Sequence, residues 1–134
     1  MTVFKKGYID DVGIDVCLDH EVTFRPFETK VIDIGVSLPT CRCRAIVLCA
    51  RTSAAKQGII VNQCPIDPNY EGNAHIIAHN CSNHIVVFEA GEAFAQIFSF
   101  EVRPIGIDYL IKKKGLRNKH NFGSTDGGND ALNN

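Results

Sequence analysis

Two short segments carry side chains suited to phosphate chemistry. In Arg51-Thr52-Ser53, a guanidinium and two hydroxyls come where a strand gives way to a helical turn, and such donors suit phosphate oxygens. Asp67 precedes Pro68 in a tight turn, where a rigid scaffold could aim its carboxylate at a ligand. The alternatives are an ordinary surface role for the first segment and a side chain-to-backbone hydrogen bond within the turn for Asp67.

Tyr70 and Gln96 are two further candidates for ligand contact. Tyr70 is either a core ring or a stacking platform. Gln96 interrupts the apolar run that follows Gly91-Glu92, and an amide among apolar neighbours needs hydrogen-bond partners. We therefore expect Gln96 to belong either to a hydrogen-bond network in the core or to a ligand site.

Short β-rich runs separated by turn signals must position these residues. The runs comprise residues 13–18, 30–38, 45–50, 58–61, 74–78, 84–88 and 95–102. Turn signals between them include Leu38-Pro39 and Ala90-Gly91. A brief helical turn is predicted only over residues 53–57. Many short strands joined by turns indicate an all-β antiparallel barrel or sandwich.

The last part of the chain differs in composition. From residue 112 onward it is first basic and then rich in glycine and asparagine, with few apolar side chains to offset the entropy of ordering. We therefore predict a β domain over residues 1–111 and a mobile tail over residues 112–134. A frayed terminus is the simple interpretation, but Phe122 and Arg117 combine a stacking ring with a phosphate donor.

Composition limits the class of protein. The 134 residues are enough for one domain, and 14 basic against 15 acidic residues give a net charge of -1, which argues against a large nucleic-acid partner. The sequence contains no apolar run long enough for a signal peptide or a membrane span, so we expect a cytoplasmic protein with no membrane partner. The 6 cysteines are then expected to be reduced thiols rather than disulfides or metal ligands.

Five segments, in order along the chain, resemble the five motifs of the trimeric dUTPase family. They are residues 12–16, 51–56, 64–72, 91–96 and 117–126. The resemblance implies a distorted antiparallel β-barrel or jelly-roll-like fold and a homotrimer with sites at subunit interfaces. It also implies hydrolysis of the nucleotide dUTP to dUMP and pyrophosphate, which limits uracil in DNA and supplies dUMP.

The resemblance assigns a role to each candidate residue. Asp67 would be the general base that activates water for attack on the α-phosphate. Tyr70 would lie under the deoxyribose, and the segment from residue 61 to Ile66 would read the uracil edge, with Asn62 as a side-chain contributor. The residues implied to hold the phosphates are Arg51, Thr52, Ser53 and Gln96. Asp15 would anchor a Mg²⁺ cofactor through water.

The tail is implied to close over the site of a neighbouring subunit. Phe122 would stack on the uracil, a contact worth about 1–3 kcal/mol in comparable base stacking. The accompanying residues implied to contact the nucleotide, mainly its β- and γ-phosphates, are Arg117, Gly123, Ser124 and Thr125. Such closure would exclude water from the phosphates.

Two alternative functions deserve comparison. The related dCTP deaminases share a segment much like residues 66–72, but their chemistry needs a glutamate that shuttles protons, and the matching position here is Ile77. A protein of the same fold could instead act as a nucleotide-binding regulator with a protein partner, although a pure binder has no need of Asp67. Cys64 and Pro65 replace the usual Gly-Val before that residue, which bears on nucleotide preference.

Overall fold

The computed structural model describes residues 1–38 and 41–112, which form nine strands and two short helices. Their bounds are β1 Val3–Lys5, β2 Ile14–Cys17, β3 Val22–Phe24, β4 Thr29–Ser37, β5 Arg44–Ala50, α1 Thr52–Lys56, β6 Ile59–Val61, β7 Asn73–Asn80, β8 Val86–Phe88, β9 Ala93–Glu101 and α2 Ile107–Lys112. The all-β prediction is confirmed. Three elements were not predicted, namely β1, β3 and α2.

The described residues divide into two units, Met1–Val102 and a second that begins at Arg103. The first holds all nine strands together with α1, and α2 belongs to the second. Within the first unit, the strands form three antiparallel sheets with the orders β1-β2-β9-β5, β4-β7-β6 and β3-β8. An isolated antiparallel bridge between Ile46 and Ile66 also ties the segment before Asp67 to β5.

Alternating burial along the strands builds the core. In β7, Ala74, Ile76 and Ala78 are buried, whereas the residues between them are more exposed, as expected for a strand with one face on the core. Three phenylalanines from different strands meet at the centre. The ring of Phe24 makes edge contacts with Phe88 and Phe94 at centroid distances of 6.2 and 5.7 Å. This cluster joins β3, β8 and β9 in one core.

Asn80 is the buried polar residue of this core, at 1% exposure. Its amide nitrogen donates to the carbonyls of Arg25 (3.0 Å) and His84 (2.7 Å), and Ser82 Oγ and the Ser82 backbone N–H both donate to its amide oxygen. These bonds satisfy both ends of the amide, so Asn80 fixes the turn after β7 against the end of β3.

Over residues 1–38 and 41–112, no helix has the length and apolar character needed to cross a membrane. The six cysteines all fall within these residues, and all six are free thiols.

Candidate functional site

The first candidate region is a groove of ≈ 760 Å³, here called the anion groove. Its lining includes the predicted residues Asp15, Arg51, Thr52, Ser53 and Gln96, together with Lys56. They come from β2, from the junction of β5 with α1, and from β9. Two cations and several neutral donors therefore share one concave surface with the carboxylates of Asp11 and Asp15, which offers groups both for phosphate oxygens and for a cation carried with them.

Strand pairing brings the two sides of the anion groove together. Asp15 on β2 lies opposite Gln96 on β9, and Gln96 in turn lies opposite Cys49 near the end of β5. Arg51, the next residue after β5, places its Nε 3.0 Å from Asp15 Oδ1. The Arg51 backbone N–H donates to Phe94 O at 2.9 Å. The guanidinium is thus held at a fixed place in the groove while remaining 41% exposed.

Helix α1 presents two hydroxyl residues beside Arg51. Thr52 and Ser53 are exposed at its first positions, and Ala54 is completely buried beneath them. The Ala55 N–H donates to Arg51 O at 2.9 Å, which closes the first helical turn. Burial of the small Ala54 side chain therefore anchors the turn and leaves the hydroxyls facing outward.

A glycine allows Gln96 to reach the anion groove. The Gln96 amide nitrogen donates to Ala50 O at 3.1 Å. A Cβ added to Gly13 would overlap the Gln96 amide oxygen and lie 2.9 Å from its Cδ. Gln96 is therefore both bonded to the backbone and exposed to the groove, which combines the two interpretations offered by the sequence.

The second candidate region is a smaller pocket of ≈ 240 Å³, here called the turn pocket. Its lining includes Asp67 and Tyr70, together with His75 and Ile77 of β7. Cys64, Pro65 and Ile66 also contribute to its wall.

A tight turn positions Asp67 in the turn pocket. The Tyr70 N–H donates to Asp67 O at 3.2 Å, with Pro68 and Asn69 as the central residues. Asn69 has a φ of 67°, and proline followed by a residue of positive φ is the signature of a type II turn. Just before the turn, Ile66 exchanges backbone hydrogen bonds of 2.7 and 3.3 Å with Ile46. The Asp67 backbone is therefore fixed from both sides.

Tyr70 is a surface ring rather than a core ring. It is 48% exposed. An added Cβ at Gly72 would overlap the Tyr70 hydroxyl and lie 2.6 Å from its Cζ. The hydroxyl end of the ring therefore lies directly against Gly72, and much of the side chain stays exposed for contact with a ligand.

A polar cluster supports the β7 wall of the turn pocket. Asp33 on β4 lies 3.3 Å from the Asn73 amide nitrogen and 3.8 Å from His75 Nε2. The Gly35 N–H donates to Asp33 at 2.7 Å, and this bond, followed by the one from Asn73, lowers the pKa of the Asp33 carboxyl below its usual value. The negative charge on Asp33 helps to orient Asn73 and His75, which line the pocket.

The structure divides the predicted residues between the two regions. Among the described residues that line the anion groove and the turn pocket, none is shared. Asn62 is exposed, and its backbone N–H donates to Ile77 O at 2.8 Å, but it lines neither region. The remaining predicted residues lie outside the described part of the chain, namely Arg117, Phe122, Gly123, Ser124 and Thr125.

Lys56 and His75 are among the lining residues that were not singled out from the sequence. Lys56 faces the anion groove from the end of α1. It could have been found in the sequence as a second cation one helical turn after Arg51-Thr52. His75 faces the turn pocket. It could have been found from its position two residues before Ile77, because alternate residues of a strand share a face.

Comparison with known proteins gives the family. A family model described as dUTPase matches residues 1–126. The deoxyuridine 5'-triphosphate nucleotidohydrolase of Hydrogenobaculum sp. (strain Y04AAS1) is 31% identical over 121 residues, which cover 84% of this chain and 82% of that protein. The chain belongs to the dUTPase family, as its motifs predicted.

Two further comparisons concern viral proteins. The Pol polyprotein of caprine arthritis encephalitis virus (strain Cork) is 27% identical over 117 residues, covering 87% of this chain and 11% of the polyprotein. The chain thus spans only about a tenth of the viral polyproteins it matches. A mutant dUTPase from phage phi11 of S. aureus, which coordinates a structural Mg(II) ion, has a TM-score of 0.71 at 16% identity, covering 91% of this chain and 92% of that one. This likeness shows that the two chains share a fold.

Proposed function

We propose that the protein hydrolyses dUTP to dUMP and pyrophosphate, with Asp67 activating the attacking water. The observation that carries this proposal is the type II turn, which places a carboxylate beside the exposed ring of Tyr70 in the turn pocket. Membership of the dUTPase family supports the choice of substrate. A general base must lie within hydrogen-bond reach of the water it deprotonates, and a rigid turn is suited to that task.

The chain's other residues would bind and orient the nucleotide. Tyr70, resting on Gly72, would pack against the deoxyribose, and the backbone from residue 61 to Ile66, with Asn62, would recognise the base. Donors in the anion groove would hold the phosphates, with Arg51 contributing charge and Thr52, Ser53 and Gln96 contributing hydrogen bonds. Such fixed donors stabilise the charge that builds up on the phosphate oxygens during water attack.

The carboxylates that line the anion groove fit a magnesium ion carried by the substrate. Among the described residues, no cluster of three or more His, Cys, Asp or Glu side chains could form a protein cage for a metal. Asp11 and Asp15 both line the groove, and Mg²⁺ is commonly held by one or two carboxylates, substrate phosphates and water. We infer that Asp15 anchors the ion through water. The ion would neutralise charge on the triphosphate.

Ile77 argues against a deaminase. It lines the turn pocket, where a dCTP deaminase would need a side chain that transfers protons. An aliphatic side chain has no titratable group. Of the two nucleotide chemistries, the observed pocket therefore favours hydrolysis directed by Asp67.

The separation of the two regions supports a site shared between chains. Asp67 follows Ile66, which pairs with Ile46 near the start of β5. Arg51 comes directly after the other end of β5. The distance along β5 from Ile46 to Arg51 is about 17 Å at ~3.3 Å per residue. A general base and a phosphate-binding side chain that serve one nucleotide each need hydrogen-bond reach of it, which favours a closer approach than this spacing along one strand. We propose that neighbouring chains of a homotrimer supply the two halves, and that the tail from residue 112 to residue 134 closes over them.

Pyrophosphate release tests the reaction. The purified protein would be given dUTP, dCTP, dTTP or UTP with Mg²⁺, and wild type compared with Asp67→Asn. We expect a preference for dUTP and a loss of about 10²–10⁴-fold in kcat for the variant, the usual contribution of a general base. Asp19→Asn is the matched control, because Asp19 is exposed and lines neither region. Equal rates for wild type and Asp67→Asn would refute the mechanism, and ammonia release from dCTP would restore the deaminase.

Mixing two inactive variants tests whether chains share a site. Arg51→Ala and Asp67→Asn chains would be refolded separately and as an equal mixture, and each sample sized by light scattering. If each site takes Arg51 from one chain and Asp67 from its neighbour, about a quarter of the sites in random trimers are intact. We therefore expect recovery of about a quarter of wild-type kcat. A mixture as inactive as its components, or a monomeric wild type, would contradict shared sites.

A further inference from the structure

The turn before β5 places two thiols side by side. Cys41 and Cys43 are both exposed, and their sulfur atoms are 3.5 Å apart. The Arg44 N–H donates to Cys41 O at 3.1 Å, which closes the turn, and the Val102 N–H donates to Cys43 O at 2.9 Å. The backbone of Cys43 is thereby fastened to the end of β9. The pair lies outside the lining of both the anion groove and the turn pocket.

The geometry of this turn permits a disulfide. The sulfur atoms of a disulfide are about 2.05 Å apart, and the Cα atoms must lie within about 7 Å of each other. Even a fully extended chain spans at most ~3.3–3.6 Å per residue, so Cα atoms two residues apart lie within about 7 Å, and the turn at Arg42 brings those of Cys41 and Cys43 closer. The Cys41 and Cys43 sulfurs therefore need to approach by about 1.5 Å to bond.

The pair also favours a reactive thiolate on Cys41. The backbone N–H and then the thiol of Cys43 stabilise that thiolate, and with the positive charge of Arg44 they lower the pKa of Cys41. The same interaction with Cys41 raises the pKa of Cys43, so one negative charge is shared by the two sulfurs. By contrast, burial raises the pKa of the Cys49 thiol. Low thiol pKa and exposure together mark cysteines that react with disulfides.

We propose that Cys41 and Cys43 form a thiol–disulfide exchange site, which a small-molecule disulfide such as oxidised glutathione converts to an intramolecular disulfide. The Cys41 thiolate attacks one sulfur of the glutathione disulfide, forms a mixed disulfide, and releases one glutathione thiolate, which takes up a proton. Cys43 then loses its proton and attacks Cys41 Sγ, releasing the second glutathione. Two protein thiols are oxidised, and one small disulfide is reduced to two thiols.

Mass spectrometry in glutathione redox buffers tests this proposal. The folded protein would be equilibrated at several ratios of oxidised to reduced glutathione, quenched in acid, and alkylated under denaturing conditions. We expect a species that has lost two hydrogens and retains four alkylatable thiols of the original six. Trypsin cuts after Arg42, so this species should release two peptides that stay joined until they are reduced. Wild-type protein carrying only glutathione adducts would overturn the proposal.

Single cysteine variants supply the controls. Cys41→Ser and Cys43→Ser should each accumulate a glutathione adduct and lose the closed species, whereas Cys81→Ser, which removes another exposed thiol, should close like wild type. Adduct formation should be faster in Cys43→Ser, which keeps Cys41, than in Cys41→Ser. Closure that persists in Cys43→Ser would contradict the assigned pair. The reverse order of rates would contradict Cys41 as the attacking thiol. None of these measurements depends on nucleotide hydrolysis.

Discussion

Replacing Gly13 with alanine tests the role of Gln96 by displacing its amide within the anion groove rather than by removing it. The new methyl group would overlap the Gln96 amide oxygen and lie 2.9 Å from Cδ. These atoms end a flexible side chain, so we expect the amide to rotate away rather than the backbone to move. The rotation would break the 3.1 Å hydrogen bond from Gln96 to Ala50 O and take the amide out of its place in the groove.

The magnitudes predict a loss of activity with little change in stability. Losing one hydrogen bond costs about 0.5–1.5 kcal/mol. Gly13 does not have a positive φ, so alanine at this position regains about 0.4–1 kcal/mol by restricting the unfolded chain. The free energy of unfolding should therefore change by less than about 1 kcal/mol. A hydrogen bond to a charged phosphate is worth about 1.5–3 kcal/mol, so kcat/KM for dUTP should fall roughly 10- to 150-fold.

A double-mutant cycle with Gln96→Ala separates these effects. Without the Gln96 amide there is nothing for the new methyl group to displace, so Gly13→Ala should stabilise the Gln96→Ala protein by about 0.4–1 kcal/mol and leave its kcat/KM unchanged. Gly106→Ala is the matched control, because an added Cβ there meets no atom within 4 Å. Urea unfolding followed by circular dichroism and pyrophosphate release give the two readouts. Wild-type kcat/KM for Gly13→Ala, or equal destabilisation in both backgrounds, would refute the reasoning.

Three further predictions concern the fold. Phe24→Ala should lower the free energy of unfolding by about 3–5 kcal/mol in urea titrations, because the Phe24 ring is fully buried. Val87 is exposed, so Val87→Ala is the control, and an equal loss of stability in the two variants would contradict this prediction. Asn80→Ala should cost at least ~1–3 kcal/mol by leaving carbonyls unsatisfied, and an unchanged urea midpoint would be inconsistent with the network. The pKa of the Asp33 carboxyl is lower in the folded state than in the unfolded chain, where it is about 3.9. The charged carboxylate therefore stabilises the fold fully above the unfolded pKa, and this stabilisation is lost as the pH falls through the folded pKa. Asp33→Asn should thus have a lower urea midpoint than wild type at pH ~7, and the two midpoints should converge at low pH; a constant gap would argue against the linkage.

The sequence predicted the strands that lie in β-rich runs between turn signals and missed the short strands outside such runs. Residues 74–78 were predicted in this way, and β7 extends that prediction to Asn73–Asn80. In β1, all three residues are exposed, so no apolar pattern marks it. In β3, only Val22 and Phe24 are buried, and three residues are too few to establish a period. β1 pairs with β2, and β3 pairs with β8. These contacts with other strands, rather than a local sequence pattern, define both strands.

The residues of the candidate site were found by motif, but their grouping required the register of distant strands. Asp15 meets Gln96 because β2 pairs with β9, and Arg51 meets Asp15 because β5 pairs with the other edge of β9. Nothing local to these segments encodes that register. The family resemblance implied sites at subunit interfaces, but no local pattern shows that Asp67 and Arg51 lie in separate regions of one chain.

The architecture of β5 also limits how the two regions can cooperate. Every residue from Arg44 to Ala50 pairs with β9, and Ile46 bonds on its other side to Ile66. A hinge that moved Asp67 toward Arg51 would have to break this ladder, because a paired strand cannot shorten its rise per residue appreciably. Closure of a single chain around a nucleotide is therefore disfavoured. The rigid ladder therefore supports the proposal that Asp67 and Arg51 of one site come from neighbouring chains, with subunit assembly rather than motion within a chain completing it.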